Sequence, residues 1–319
     1  MIISVTHEVD LDGIGSQAIV KRWALREKNY SDDQIILDYS HYTNFIEVMK
    51  KNLNIVKQGK VEFLVITDIG FNDNFEFLFP LFKKSFAKII WLDHHIVEDN
   101  IQKVLTEILS TYINDPKKCT AEICRDFFLP DDDVAKKIAN YARDTDFGTK
   151  RYEEAQNLQL LISYLRGQQD FERIRKIVDF IIQGIFSNNW ISERINELHT
   201  WYKRETSNAL QNKQIIDIKE FGEILISFSK MVGGRIVDTL EANFPGKQGY
   251  IGIDQRFHEI IIKSADINCR ELAKAFKGGG HMNRAGFKYE NIFMKHFKLD
   301  NFFLKQLKEY ILQFKINKK

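Results

Sequence analysis

Acidic side chains stand at four points of the sequence, and histidines accompany them at two of these points. The four segments are His7-Glu8-Val9-Asp10-Leu11-Asp12, Asp68, Asp93-His94-His95 and Asp144-Thr145-Asp146. The first three follow apolar runs typical of buried strands, and the fourth follows a predicted helix over residues 133–143. Imidazole and carboxylate form a mixed nitrogen and oxygen ligand set, which suits Mn²⁺ and similar divalent ions. The sequence therefore predicts a metal site.

Four of these carboxylates match the charge of two divalent cations. Asp10, Asp12, Asp68 and Asp144 would repel each other strongly if they met, so they could not all be ionised without a counter-charge. Two divalent ions would supply that charge. A centre of this kind activates a water molecule and stabilises the charge that develops on a phosphoryl group. We therefore expect a two-metal phosphoesterase.

Two glycine-containing segments support phosphate chemistry. Gly13 and Gly15 allow a tight turn from a strand into a helix, and the helix N-terminus favours an anion. The run Gly278-Gly279-Gly280-His281 follows a predicted helix over residues 269–276. Consecutive glycines expose backbone N–H groups that can surround an anion, and His281 adds a donor. We expect this run to form a phosphate-binding loop.

Each residue also has an ordinary structural interpretation. Asp68 could cap a helix, and Asp10 and Asp12 could form a turn. One of the two adjacent histidines could lie in the core and the other on the surface, and the glycine run could be a flexible connector. All of these features nevertheless occur together, each at the end of a predicted strand or helix. Their combination favours a functional site.

Alternating apolar runs and helical patterns predict an α/β fold for the first half of the chain. The predicted strands cover residues 2–6, 34–38, 61–67, 88–92 and 108–113. Nearly continuous apolar strands that alternate with helices indicate a parallel, doubly wound sheet. The carboxyl ends of such strands meet at one crevice, so acidic residues far apart in the sequence can converge there.

The length of 319 residues suggests two domains. Helical patterns dominate from about residue 120 to 208, and strands return from residue 215, interleaved with helices. We place a catalytic domain at residues 1–189, a charged linker helix at 190–212 and a smaller α/β domain at 213–319.

Composition limits the partners and the location of the protein. Lys and Arg total 46 against 44 Asp and Glu, so there is no strong basic field to hold a long polyanion. Three scattered cysteines fit a reduced, cytoplasmic compartment. The chain starts on an apolar strand unlike a signal peptide, and no apolar run is long enough to suggest a membrane span. We expect a cytoplasmic protein without a membrane partner.

The ordered motifs HEVDLDGIGS, TDIG, DHH, RDTD and GGGH resemble the DHH phosphoesterase superfamily with its DHH-associated C-terminal domain. The resemblance extends from residue 1 to about 289. It is strongest to the short RecJ-like and nanoRNA-degrading members, whereas family II inorganic pyrophosphatases share only the N-terminal motifs. The resemblance implies a Rossmann-like parallel-sheet catalytic domain, a linker helix and a smaller mixed-sheet domain, with the active site in the cleft between the domains.

The resemblance also implies a ligand set for two ions, with Mn²⁺ favoured over Mg²⁺ or Co²⁺. One ion would be held by His7, Asp10 and Asp68, and the other by Asp12, Asp68, His94 and Asp144. Asp68 would bridge the two ions, and His95 would contact the scissile phosphate or help to position the metal-bound hydroxide. These two are therefore the expected catalytic residues. The spacing from His7 to Asp10 differs from that in some members, so His7 could instead support the ligands from outside.

Substrate contacts implied by the resemblance lie in the second domain. Gly278, Gly279, Gly280 and His281 would bind a substrate phosphate. Arg235 and Lys263 lie where members carry basic substrate contacts, although arginine is common at the position of Lys263 and would form a bidentate pair. Arg284, in the segment that follows His281, would be an additional phosphate contact.

These expectations define a function and its alternatives. We expect an Mn²⁺-dependent phosphodiesterase that hydrolyses short single-stranded RNA or DNA to nucleoside monophosphates, as a monomer or homodimer. Cyclic or linear dinucleotides, 3′-phosphoadenosine 5′-phosphate and pyrophosphate are alternative substrates for the same chemistry. A catalytically silent nucleotide-binding scaffold is the alternative from another class of protein.

Overall fold

The structure is a computed structural model that describes residues 1–41, 44–56, 61–71, 73–219, 221–289 and 301–316. The chain divides into two compact units, Met1–Ile195 and Asn196–Lys319. Residues 290–300 and 317–319 of the predicted second domain lie outside the described ranges. In the described part of the chain, no helix is both long enough and apolar enough to span a membrane.

The first unit contains a five-stranded sheet in which all paired strands are parallel. The strands are β1 (Ile2–His7), β2 (Ile35–Ser40), β3 (Phe63–Thr67), β4 (Lys88–Asp93) and β5 (Thr111–Asn114), in the order β2-β1-β3-β4-β5. The predicted α/β class and doubly wound sheet are confirmed. The fifth strand starts later than expected, because residue 108 still belongs to the preceding helix.

Helices cover both faces of this sheet. They are α1 (Leu11–Arg26), α2 (Phe45–Val56), α3 (Phe79–Ser85), α4 (Asp99–Ile108), α5 (Thr120–Phe128), α6 (Asp133–Asp146), α7 (Glu153–Gly167) and α8 (Phe171–Ile181), with 3-10 turns at Asp32–Gln34 and Asp73–Leu78. Ile3 and Val5 of β1 pack into the core formed with α2, α3 and α4, whereas Ile2 faces the core of α1, α5, α6, α7 and α8. Alternate strand residues thus fill two separate cores.

The strand order creates the place where a site can form. β1 is an inner strand between β2 and β3. The chain passes from β1 to β2 on one side, and then crosses back from β2 to β3 on the other side. In doubly wound sheets the ligand crevice opens at such a reversal, beyond the carboxyl ends of the strands. The acidic segments after β1, β3 and β4 therefore meet at one edge.

The second unit contains a six-stranded mixed sheet. Its strands are β6 (Gln214–Ile218), β7 (Gly222–Ser229), β8 (Gly249–Asp254), β9 (Glu259–Lys263), β10 (Gly279–His281) and β11 (Arg284–Lys288), in the order β10-β11-β9-β8-β7-β6. β7 and β8 run parallel, and the other neighbouring strands of this sheet are antiparallel. The helices of this unit are α10 (Gly233–Asn243), α11 (Cys269–Ala275) and α12 (Asn301–Gln313), together with most of α9 (Asn189–Gln211), which begins in the first unit. The α9 helix occupies the segment that was predicted as a linker helix.

Candidate metal centre

The turn from β1 into α1 positions the first set of candidate ligands. Asp10 is the N-cap of α1, with extended backbone, and its Oδ1 atom accepts a hydrogen bond of 3.1 Å from the Gly13 N–H. His7 ends β1, and Asp12 lies almost fully buried in the first turn of α1. The N-terminal turn of the helix thus directs two carboxylates to the same edge of the sheet as the His7 ring.

Gly13 is required because the chain packs closely at this turn. A Cβ atom at this position would lie 2.2 Å from the His7 carbonyl oxygen and 3.1 Å from Oδ2 of Asp68. We expect Gly13→Ala to destabilise the fold by at least about 1–3 kcal/mol, because backbone atoms must move to admit the methyl group. Urea unfolding checks this value. Gly279→Ala is the control, since a Cβ there meets nothing within 4 Å, and equal losses for both variants would contradict the interpretation.

Asp68 lies at the centre of the cluster, with a backbone φ of 57° in the left-handed region. Such a conformation is unusual outside glycine, although Asp and Asn tolerate it better than most residues. Oδ2 of Asp68 lies 3.7 Å from Nδ1 of His7, and Oδ1 lies 3.5 Å from Nε2 of His94. The two oxygens of one buried carboxylate therefore face two different histidines.

The N-terminus of α5 orients two of these carboxylates, which the sequence did not indicate. The backbone N–H groups of Thr120 and Ala121 each donate a 2.8 Å hydrogen bond to Asp12. The Thr120 hydroxyl donates to Oδ1 of Asp68 over 3.2 Å. A helix N-terminus stabilises negative charge, so α5 supports both carboxylates and fixes their orientation. The only signal in the sequence is a helix start at residue 120.

The candidate ligands form three overlapping groups. In each group, one ligand atom from every residue lies within 4.8 Å of the others. The groups are His7 with Asp10 and Asp68, Asp68 with His94 and His95, and Asp12 with His94 and Asp146. Asp68 and His94 each belong to two groups, so the three form one continuous cluster of nitrogen and oxygen donors.

Asp146 occupies the place that was expected for Asp144. Both residues lie in the last turn of α6, which extends through residue 146 instead of ending before the acidic pair. Oδ2 of Asp146 lies 3.7 Å from Nδ1 of His94. Asp144 is absent from the three groups that the described residues form. We therefore propose Asp146, in place of Asp144, as the candidate ligand.

The Asp144 carboxylate instead holds the chain that follows α6. It accepts hydrogen bonds from the Thr149 hydroxyl, the backbone N–H groups of Arg151 and Tyr152, and the Gln156 amide. Burial alone would raise the pKa of Asp144, but these four donors outweigh it and lower the pKa to about 2. Asp144 is thus an ionised structural anchor.

His95 is held by the first residue of its own motif. Its Nδ1 atom lies 2.8 Å from Oδ1 of Asp93, which is buried, and its backbone N–H donates to Oδ2 of the same carboxylate. The hydrogen bond with Asp93 raises the pKa of His95 despite partial burial. Because Nδ1 faces Asp93, Nε2 is the ring nitrogen directed away from it. The phosphate contact predicted for His95 stays a prediction.

The cluster concentrates negative charge in a buried place. Burial, together with the nearby carboxylate of Asp68, raises the pKa of Asp10 to about 6, and the same two effects raise the pKa of Asp12. Burial would also raise the pKa of Asp68, but His7 and His94 outweigh it and lower that pKa. Burial lowers the pKa of His94, yet Asp68 and the other carboxylates raise it to about 9. Divalent cations fit such a set, because they would replace the protons that now balance its charge.

The glycine run in the second unit forms a strand and not an open loop. Gly279, Gly280 and His281 make up β10 and pair with β11. The Gly278 N–H donates to the Ala273 carbonyl at the end of α11, so that group is already engaged. A Cβ on Gly278 would lie 2.2 Å from the Gly286 carbonyl oxygen, which explains this glycine by packing. Gly279, Gly280 and His281 remain exposed candidates for an anion contact.

Three of the predicted cations in the second unit already have partners. Arg284 pairs with Asp238 and donates to the Gly234 carbonyl, and Lys263 bonds Glu241 over 2.6 Å. The Arg235 guanidinium lies 4.5 Å from the centre of the Tyr202 ring. The structure places Lys263 and His281 directly opposite Arg284 on the neighbouring strands β9 and β10. Directly opposite residues point to the same face of a sheet, so these three side chains share one face.

Solved structures with the same architecture are known. The chain is similar to the DHH domain of a member of the S1p family of ribosomal proteins, with a TM-score of 0.68, 15% identity and coverage of 99% of this chain and 87% of that one. It is similar to exonuclease RecJ bound to manganese, with a TM-score of 0.55, 15% identity and coverage of 98% and 90%. For the pGpG-specific phosphodiesterase PggH from Vibrio cholerae the TM-score is 0.53, with 11% identity and 98% coverage of both chains. At these identities the likeness establishes the fold.

The family comparison concerns the first unit. No curated protein matches the chain. The model of the DHH family, N-terminal domain, matches residues 1–147, a range that contains every member of the metal-binding cluster. This match and the shared fold confirm the resemblance seen in the motifs. Residues 1–147 belong to the DHH family, N-terminal domain.

Proposed function

We propose that this protein is a phosphodiesterase that uses two divalent cations to hydrolyse short oligonucleotides to nucleoside monophosphates. The observation that carries the proposal is the continuous cluster in which Asp68 and His94 are each shared between two donor groups. A shared carboxylate between two sets of ligands is the arrangement that a two-metal phosphoesterase needs. Mn²⁺ is the proposed ion, because imidazole and carboxylate ligands together suit it well.

The proposed ligands divide into two sets around Asp68. His7, Asp10 and Oδ2 of Asp68 would hold one ion, since these groups lie together on one side. Asp12, His94, Asp146 and Oδ1 of Asp68 would hold the other. Both imidazoles are close to carboxylates, so His7 is retained as a direct ligand.

Phosphodiester hydrolysis needs a nucleophile and a positive charge that stabilises the negative charge developing on the phosphoryl oxygens. Two divalent ions would supply both, by lowering the pKa of a water molecule and by neutralising the phosphoryl oxygens. The protein would fix the ligand geometry through the α5 N-terminus and the left-handed Asp68 backbone. Asp93 would hold the His95 ring so that Nε2 can donate to the scissile phosphate.

Short substrates are favoured by the charge of the chain. The net charge of +2 provides little long-range attraction for a long nucleic acid. Local contacts to phosphate would come from the second unit, where we propose Arg235 and His281 first. Arg284 and Lys263 are also proposed, although each would have to release or share its carboxylate partner.

Anomalous scattering from a crystal soaked in Mn²⁺ tests the centre. We expect two peaks beside Asp68, one on the side of His7 and the other on the side of His94. A single peak would reduce the proposal to a one-metal site, and no peak would overturn it.

A series of 5′-phosphorylated di- to pentanucleotides, assayed with Mn²⁺ and then with EDTA, tests the activity. We expect release of mononucleotides with Mn²⁺ and complete loss of release with EDTA, because the ions supply the nucleophile. The same panel includes cyclic dinucleotides, 3′-phosphoadenosine 5′-phosphate and pyrophosphate. Faster turnover of one of these compounds would assign the same chemistry to a different substrate, and no turnover at all would leave a binding protein.

A further inference from the structure

The loop that follows α6, residues 147–152, is held in place by hydrogen bonds to Asp144. The buried Asp144 carboxylate accepts hydrogen bonds from the Thr149 hydroxyl and from the N–H groups of Arg151 and Tyr152. Gly148 and Lys150 both have left-handed backbones, with φ of 66° and 53°. One carboxylate with several donors in a short loop restricts the conformations of that loop.

This loop begins with a large aromatic side chain on the surface. Phe147 is 45% exposed. The Arg143 guanidinium lies 4.3 Å from the centre of the Phe147 ring, as a cation above an aromatic face. Arg143 is itself held by Glu122 and by the carbonyl oxygen of Lys117. The ring therefore rests on a side chain that is fixed from two sides.

The position of Phe147 in the chain relates it to the metal cluster. Phe147 directly follows Asp146, whose carboxylate belongs to the group with Asp12 and His94. Arg143, whose guanidinium covers Phe147, lies on α6 three residues before Asp146. The backbone that carries the ring is thus continuous with the backbone that carries a cluster carboxylate.

We propose that Phe147 stacks on a nucleobase of the substrate, next to the phosphate that is cleaved. The inference rests on the phosphoesterase function proposed above and narrows its substrate to compounds that carry a base. An exposed aromatic ring backed by arginine is a stacking surface for any base. Lys150 and Arg151 are exposed on the same loop and supply positive charge for the neighbouring phosphates. Pyrophosphate has no group that would use this surface.

Equilibrium binding of a dinucleotide labelled with 2-aminopurine tests the proposal without requiring turnover. The fluorescence of this base falls when it stacks on an aromatic ring. The variants are Phe147→Ala, which removes the ring, and Phe147→Trp, which restores a larger one. Phe77→Ala is the matched control, because Phe77 is 50% exposed and lies in another part of the same unit. A dinucleotide that lacks one base serves as the second ligand.

We expect Phe147→Ala to weaken binding of the labelled dinucleotide roughly 5- to 150-fold and to abolish the quenching, as is typical for the loss of one stacked base. Phe147→Trp should restore both, and Phe77→Ala should change neither. The abasic ligand should bind equally to wild type and Phe147→Ala. Unchanged affinity and quenching in Phe147→Ala would overturn the proposal. If quenching depends on Phe147 but no phosphoester is hydrolysed with Mn²⁺, then the proposed activity fails while the stacking surface stands.

Discussion

Replacing Asp68 with asparagine is expected to abolish binding of both proposed metal ions and to reduce hydrolysis by about 10³-fold or more. The two oxygens of Asp68 face His7 and His94, so its charge serves both ligand sets. Two-metal centres contribute several kcal/mol to the transition state, and about 1.4 kcal/mol corresponds to a tenfold change in rate. Metal content by mass spectrometry and the rate on a dinucleotide check this result.

Asparagine is the informative substitution at this position. It tolerates the left-handed backbone of Asp68 and keeps the shape of the side chain, so a loss of metal can be separated from a loss of fold. The thermal transition of the metal-free variant should remain cooperative. Asp99→Asn is the control, since it removes one exposed carboxylate at the start of α4. An Asp68→Asn protein that retains two ions and normal turnover would contradict the bridging role.

The second large effect distinguishes Asp146 from Asp144. Asp146→Asn should lower hydrolysis by roughly 10²-fold and weaken one ion, because its carboxylate belongs to one of the two proposed ligand sets. Asp144→Asn should leave both ions bound. It should instead destabilise the first unit by about 1–3 kcal/mol, because donors from the loop at residues 147–152 lose a charged acceptor.

The pH dependence of stability provides a separate test of Asp144. Its pKa in the folded protein is about 2, below the ordinary value of 3.8. A depressed pKa means that the carboxylate stabilises the fold above the ordinary value and that this contribution disappears as the pH falls toward 2. Urea unfolding between pH 2 and pH 6 should show a smaller loss in Asp144→Asn than in wild type. Loss of one ion from Asp144→Asn, with both ions retained by Asp146→Asn, would return the ligand role to Asp144.

Many features of this protein could be inferred from the sequence alone. Nearly continuous apolar runs such as residues 61–67 and 88–92 are typical of strands that are buried on both faces. The doubly wound sheet was therefore predictable, and it is confirmed. The ordered motifs indicated the DHH family, which the family match confirms for residues 1–147. The two-domain division stays a prediction, although α9 forms over almost the same segment as the expected linker helix.

The second unit shows why side-chain partners were harder to predict. A run of glycines has no side chains from which an orientation can be inferred, and pairing with β11 decided that residues 279–281 form a strand. The pairing of Arg284 with Asp238 and of Lys263 with Glu241 joins residues that are distant in the sequence. Such contacts depend on how α10 packs on the sheet, which no local pattern reveals.

The choice between Asp144 and Asp146 shows the same limit in the candidate site. The residue types, their number and their position after a predicted helix follow from the sequence. Two residues that are two positions apart on a helix point in directions about 200° apart, so only one of them can face the cluster. The rotation of α6 is set by its buried residues Ala135, Ile138 and Ala142, which pack in the core shared with α1. Tertiary packing therefore turned Asp146 toward His94 and left Asp144 to hold the loop.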